Sequence, residues 1–388
     1  MEQRLSRQFN RTGLYLNCSE NETDLKALFN VFVNHAYLPP IELRELHIVT
    51  MVIALPLVIF TGIIFNILSI WILSRDKRYN PSIFLLQALA VADTLFLLLN
   101  ALFFALPVMI IHWFGIGCEL DNYVVAIADA DSNSVGRQIA QITQTVRILA
   151  VGMIVLVTVD RYIALFYPLH AQRFCTFGAT RKLIALLFFY GLTWFVVLKL
   201  VDSKVFNIKA KNRTFALGNA INLIIPAVVI FVLNIKLIVN IRDTKRQLRA
   251  MGSERNRTND EDFREFMSLT VKLIAVASTF LICAVPGVIQ SVNMILAMEW
   301  RYDCCIPLLS IDIMNYLSIL LMNFNSSVNF FLYVSTGGRF RRDLNETFQH
   351  ICGRRYKAIM SYSHSRKNYR TECESASTTA IQLCEYPT

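Results

Sequence analysis

The tetrad Val159-Asp160-Arg161-Tyr162 sets a carboxylate, a guanidinium and a phenol side by side at the end of an apolar run, Ile148–Val159. Charges at the end of such a run are costly in a bilayer and mark function. Asp160 and Arg161 can pair and part, which is the chemistry of an electrostatic switch rather than of bond making. Further back along the same segment, Thr143, Gln144 and Arg147 recur within one helical turn and share a face. A guanidinium about one-third of the way into the membrane needs an anion or several carbonyls. Two readings of Arg147 stay open. It contacts a ligand carboxylate or the backbone carbonyls of a peptide, or it pairs internally, with Asp312 or with an acceptor such as Gln144.

A second set of polar residues falls inside apolar segments: Asn66, Asp93, Asn325, Ser326 and Asn329. A mid-membrane carboxylate must find partners or water. The expected arrangement is one network, with Asp93 buried and hydrogen-bonded to the asparagines, either around a sodium ion or as helix packing without an ion. Pro107, Pro226 and Pro286 are expected to interrupt their segments, because proline removes a backbone bond and kinks a helix. No Cys/His spacing fits a zinc site, and neither a metal centre nor catalytic residues are expected, so the chain does not read as an enzyme.

The elements that carry these residues are apolar helices. The 388 residues are 55% hydrophobic and 17% charged, well below the roughly 25% charge of soluble domains. A spanning helix needs about 20 mostly apolar residues. Candidates lie at 47–74, 81–111, 137–166, 182–201, 215–241, 268–297 and 306–334. The third is the weakest, with Arg137, Gln138, Gln141, Gln144 and Arg147 in its outer half. The predicted fold is an all-α membrane protein, a seven-helix bundle at 47–335. It lies between an outer segment, 1–46, and an inner tail, 336–388.

Arg75, Lys77 and Arg78 follow the first span, which places the amino terminus outside and the tail inside. The sequons at Asn10, Asn17, Asn21 and Asn212 then fall outside, as glycosylation requires, while those at Asn256 and Asn345 fall inside and are expected unmodified. Lys199, Lys204, Lys209, Lys211 and Arg213, against Asp202 alone, make the outer link between spans four and five basic, which the rule disfavours. Met1–Asn10 lacks an apolar signal core, so the first span is expected to act as an uncleaved signal anchor. The net charge of +10 sits largely in inner loops and tail, and suits anionic inner lipid rather than nucleic acid. The mixed-charge link 242–267 is expected to extend helices five and six inward. Residues 339–352 read as an amphipathic surface helix, with Phe340, Leu344, Phe348 and Ile351 on one face. Cys352 at its end is a candidate palmitoylation site.

These residues resemble the rhodopsin-like G-protein-coupled receptors across 60–350. The resemblance rests on Asn66, Leu89-Ala90-Val91-Ala92-Asp93, Asp160-Arg161-Tyr162 with Pro168, and Trp194. It continues with Pro226, Phe280-x-x-Cys283-x-x-Pro286 and Asn325-Ser326-Ser327-Val328-Asn329-x-x-x-Tyr333. It implies that Arg161 is held by Asp160 at rest and released to a heterotrimeric G protein when helix six swings out, with Tyr162 and Tyr333 part of that switch. It also implies that Val151, Pro226 and Phe280, with Pro286, couple the ligand pocket to the swing. Arrestin and receptor kinases are further partners that the family implies.

Several positions depart from the family pattern. Gly136 stands where a cysteine ends helix three, and no cysteine lies between spans four and five, so the usual disulfide there cannot form. Cys118 is left to pair with Cys18 or with Cys304-Cys305. Ala284 replaces a pocket tryptophan, Phe330 a proline, and Asn234 a tyrosine that supports the active state. The Cys-x-x-Pro without tryptophan and Asn-Ser-Ser-Val-Asn-Phe-Phe-Leu-Tyr resemble invertebrate neuropeptide receptors of the FMRFamide and myosuppressin type.

Thr143 stands where amine receptors carry an aspartate, and Asn323 where opsins carry a lysine. The expected pocket is therefore Thr143, Gln144 and Arg147, faced by Asn222, Asn315 and Asn323. The loop 112–136 carries Glu119, Asp121, Asp129 and Asp131 with no Lys or Arg; it either steers a basic peptide inward or is a solvated loop. The reading is a neuropeptide receptor. Its rivals are a small-molecule chemosensory receptor of the same fold, a transporter, disfavoured by the lack of an internal repeat, and a non-signalling seven-helix protein.

Overall fold

The computed structural model describes residues 43–75, 81–114, 135–202, 208–250, 257–299, 308–336 and 344. They form seven helices long and apolar enough to cross a membrane, and no strand occurs among them. In chain order these are α1 (Arg44–Ser74), α2 (Pro81–Asn100 continued through Leu106–Phe114), α3 (Val135–Phe166) and α4 (Phe177–Val201). They are followed by α5 (Ile208–Ala250), α6 (Arg257–Glu299) and α7 (Leu308–Thr336). A short helix, Pro168–Phe174, joins α3 to α4.

Two stretches have wider, five-residue turns: Ile48–Ala54 in α1 and Ala101–Ala105 in α2. Each ends two residues before a proline, Pro56 and Pro107. A proline nitrogen cannot donate to the carbonyl four residues back and its ring crowds that carbonyl, so the preceding turn widens. The sequence reading singled out Pro107 but not Pro56. Pro226 and Pro286 lie inside helices that continue past them. The carbonyl that each proline frees is cheaper to leave than a 43-residue helix is to break where neighbouring helices support it.

Helix α4 begins at Phe177, earlier than expected, because Thr176 caps it: its hydroxyl accepts from the Ala179 amide at 3.3 Å. Helices α5 and α6 run past the apolar stretches, to Ala250 and from Arg257, as the Lys-, Arg- and Glu-containing link favours.

The packing pattern is a ring closed by α1 against α7, with α3 touching α2, α4, α5 and α6. Helix α3 is thus the central strut, which is why a segment with five polar or charged residues in its outer half can span at all. α4 is peripheral: Leu186, Phe188, Phe189, Val196 and Leu200 are exposed and form a lipid-facing surface. Where α1 meets α7, Gly62 is required. A Cβ there would lie 2.1 Å from Ser327 Oγ, and that hydroxyl donates to the Val58 carbonyl at 2.9 Å. Phe330, in place of the family's proline, is buried and stacks on Phe65 with centroids 4.8 Å apart, so helix seven gains an aromatic seam with α1.

The bundle lies within one compact unit, Met1–Thr336, separate from a second, Gly337–Thr388. Asn10, Asn17, Asn21, Cys18, Cys118, Cys304, Cys305, Cys352, the acidic residues of 112–136 and all of the 339–352 helix except Leu344 lie outside the described residues. Asn212, expected in an outer loop, falls in the early turns of α5.

Candidate functional site

Near the carboxyl-terminal end of α3, Arg161 and Asp160 are both buried and pair at 3.3 Å. Helix α2 contributes a partner the sequence reading missed: the Ser82 hydroxyl donates to Asp160 Oδ2 at 2.8 Å. Ser82 sits one residue past Pro81, at the first turn of α2, and nothing local in the sequence distinguishes it from a helix cap. The Cys175 thiol lies 3.8 Å from the Asp160 carbonyl. Burial, and then the Asp160 carboxylate, push that thiol up to about 12. The Lys236 ammonium lies 5.7 Å from the centre of the Tyr162 ring. Asn234 is buried on the inner half of α5 and neither amide atom has a hydrogen bond. Tyr333 is buried on α7.

Further from the Asp160–Arg161 pair, Val151 and Phe280 are buried and Pro226 is half-buried, on the three helices α3, α6 and α5 that pack against one another. Pro286 is half-buried one and a half turns further along α6.

The mid-bundle polar set comes together in part: of the three asparagines only Asn329 bonds Asp93. Asn329 donates to Asp93 Oδ2 at 2.8 Å, and the Ser326 hydroxyl bonds the same carboxylate. Asn66 instead donates to the Ser326 backbone carbonyl at 2.8 Å, so it ties α1 to α7 rather than to Asp93. Asp93 Oδ1, Asn325 Oδ1, Asn66 Oδ1 and Ser69 Oγ are buried without a hydrogen bond. Buried acceptors are costly when unpaired, and a set of oxygens with one formal charge suits a small monovalent cation.

The expected ligand pocket is divided in two. Asn315 accepts from Gln290 of α6 at 2.7 Å, and Asn323 donates back to the Ile319 carbonyl of its own helix at 2.8 Å. Neither bonds the α3 residues. Asn222 accepts from Tyr190 of α4 at 2.7 Å and donates to the Gly218 carbonyl. Periodicity identified these as polar and inward, but the partner of an amide depends on which helix lies opposite. Arg147 pairs with neither Asp312 nor Gln144. It donates to Asn219 Oδ1 of α5. Asn219 precedes Asn222 by one turn on the same helix, which is the signal that could have identified it. Gln144 is buried with both amide atoms unpartnered, and so is the indole nitrogen of Trp194. Thr143 is half-buried beside them.

At the outer end of α3, Arg137 Nε donates to both oxygens of Asp202 at 2.8 and 2.9 Å. The Gln141 amide donates to the same carboxylate, and Lys211 of α5 donates to the Asp202 backbone carbonyl at 3.1 Å. Three helices therefore meet on the residue that ends α4. This explains part of the basic outer link: Lys211 is bonded here, and Lys199 lies over the Phe195 ring at 5.4 Å.

A family model described as the 7 transmembrane receptor (rhodopsin family) matches residues 65–333. The FMRFamide receptor of Drosophila melanogaster is 28% identical over 305 residues, covering 72% of this chain and 50% of that protein. The chain thus spans about half the length of the curated relative it matches. With seven apolar helices arranged around α3 and a buried Asp-Arg pair at its inner end, the chain belongs to the rhodopsin family of seven-transmembrane receptors.

Proposed function

We propose that this chain is a plasma-membrane receptor for an extracellular neuropeptide and that it signals through a heterotrimeric G protein. The observation that carries the reading is the buried Arg161–Asp160 pair, with Ser82 as a second hold on the carboxylate. A guanidinium held at 3.3 Å by its neighbour can be released without chain rearrangement, so two packings of the bundle can differ by a small free energy. A ligand biases them by its difference in affinity between the two. The similarity to an FMRFamide receptor supports a peptide as that ligand.

In this reading residues 1–46 are extracellular, 47–335 form the receptor bundle and 336–388 form a cytoplasmic tail. Asn10, Asn17, Asn21 and Asn212 are glycosylated, and the 339–352 helix lies on inner-leaflet lipid with Cys352 palmitoylated. Arrestin and receptor kinases act on the tail. Val151, Pro226, Phe280 and Pro286 transmit the signal, and Tyr162 and Tyr333 complete the inner switch. Asp93, Ser326, Asn325, Asn329 and Asn66 would hold a sodium ion that neutralises the buried carboxylate. The test is a peptide-library screen in cells carrying a promiscuous G protein. A peptide that activates wild type and not Arg161→Ala, at equal surface expression, is the expected result; an unaffected Arg161→Ala would overturn the switch assignment.

A further inference from the structure

Arg147 differs from the other arginines buried in the described part of α3. Arg161 has Asp160 and Arg137 has Asp202, each a carboxylate. Among the described residues, the polar partner of Arg147 is a neutral amide, Asn219. The residue lies about 15 Å along the axis from Arg137, deep in a medium where an uncompensated charge is expensive.

Its surroundings are rich in donors. A guanidinium has five N–H groups, and the bond to Asn219 uses one. One turn outward on the same face, Gln144 is 4% exposed and its amide nitrogen and oxygen are both unpartnered. Asn219 follows Gly218, whose absent Cβ lets the Trp194 ring approach. A Cβ there would lie 2.0 Å from the Trp194 ring, and the indole N–H of that ring is buried and unpartnered. Arg147 itself is half-buried. Around Arg147, Gln144 and Trp194 this part of the α3–α4–α5 seam thus carries one positive charge and several unused donors, and among the described residues no carboxylate is bonded to them.

We propose that this seam is an anion-binding subsite, in which Arg147 ion-pairs a carboxylate of the ligand and Gln144 donates a second hydrogen bond to it. The proposal rests on the receptor reading above and specifies the chemistry of its ligand. A neutral carbonyl would satisfy donors and leave the charge uncompensated; a carboxylate does both, and charge-assisted bonds to guanidinium are the stronger ones. The ligand supplies the counter-ion that the fold gives to Arg137 and Arg161 and withholds from Arg147.

The test uses the purified full-length receptor and a matched pair of probes, N-acetylphenylalanine and its carboxamide, which differ in one group. Binding is read as ligand-induced thermal stabilisation. Wild type is expected to bind the acid about 30-fold or more tighter than the amide, since removing one partner of a buried charge pair costs at least about 2 kcal/mol. Arg147→Gln should bring that ratio close to one. Asn219→Asp gives the guanidinium an internal carboxylate; it should raise the probe-free melting temperature and erase the acid preference. It carries the test if Arg147→Gln does not fold. Equal binding of acid and amide, no stabilisation by the acid at millimolar concentration, or an acid preference that survives either variant would overturn the proposal. A receptor that answers a library peptide yet shows no acid preference sinks the subsite alone. An acid preference in a chain that no peptide activates sinks the receptor reading alone.

Discussion

Arg137 grips Asp202 through both carboxylate oxygens at 2.8 and 2.9 Å, in a buried pair that joins the outer ends of α3 and α4. It lies next to Gly136, where the family's disulfide cysteine is missing, and Lys211 brings α5 to the same residue. A non-covalent clamp therefore stands at the place where most relatives use a covalent one. Asp202→Asn or Arg137→Ala removes one partner of the charge pair and should destabilise by about 3–5 kcal/mol. The double replacement Arg137→Met with Asp202→Leu should lose less than either single change. Melting temperatures of the four proteins in one detergent check this; additive losses would show that the two residues do not act as a pair.

The hold on Arg161 has two parts. Asp160→Asn removes the charge that pairs with the guanidinium and should raise ligand-independent signalling. Ser82→Ala removes one charge-assisted hydrogen bond to the carboxylate, worth about 1.5–3 kcal/mol, and leaves the ion pair in place, so it should raise it by a smaller amount. Basal G-protein activation at matched surface expression is the measurement, and a Ser82→Ala effect as large as that of Asp160→Asn would contradict the ordering.

The unpartnered oxygens around Asp93 lead to a salt-specific expectation. Exchanging sodium for choline at constant ionic strength should lower the melting temperature of wild type. Asp93→Asn removes the formal charge while keeping the shape, and should make stability indifferent to the exchange. A wild-type protein that melts at the same temperature in both salts would leave the network as helix packing.

Cys175 sits beside Asp160 with its thiol pushed up to about 12. Thiolate is the reactive form, so at neutral pH its alkylation should be at least about 100-fold slower than that of an ordinary exposed thiol. The measurement is iodoacetamide labelling in a protein with Cys352, Cys373 and Cys384 replaced by serine. Asp160→Asn removes part of the cause and should speed the labelling; burial, the larger cause, remains.

Much of this protein is legible in the sequence because the bilayer leaves few solutions. Long apolar runs must be helices, since no other open structure satisfies its backbone in lipid. Polar residues within them must face the bundle. Asp93, Asn329, Asp160 and Arg161 could be identified that way, and the pairing of Arg161 with Asp160 needs no knowledge of other helices because the two are adjacent. What spacing along one helix cannot supply is the identity of the residue on the helix opposite. Arg147 meets Asn219 rather than Asp312, Asp160 meets Ser82, Asn66 meets a backbone carbonyl, and the pocket amides divide between the α4–α5 and α6–α7 seams. Each of these partnerships depends on the rotation and depth of two helices far apart in the chain. Packing sets both, and it makes Arg137 and Asp202 a clamp while leaving Arg147, among the described residues, without a counter-ion.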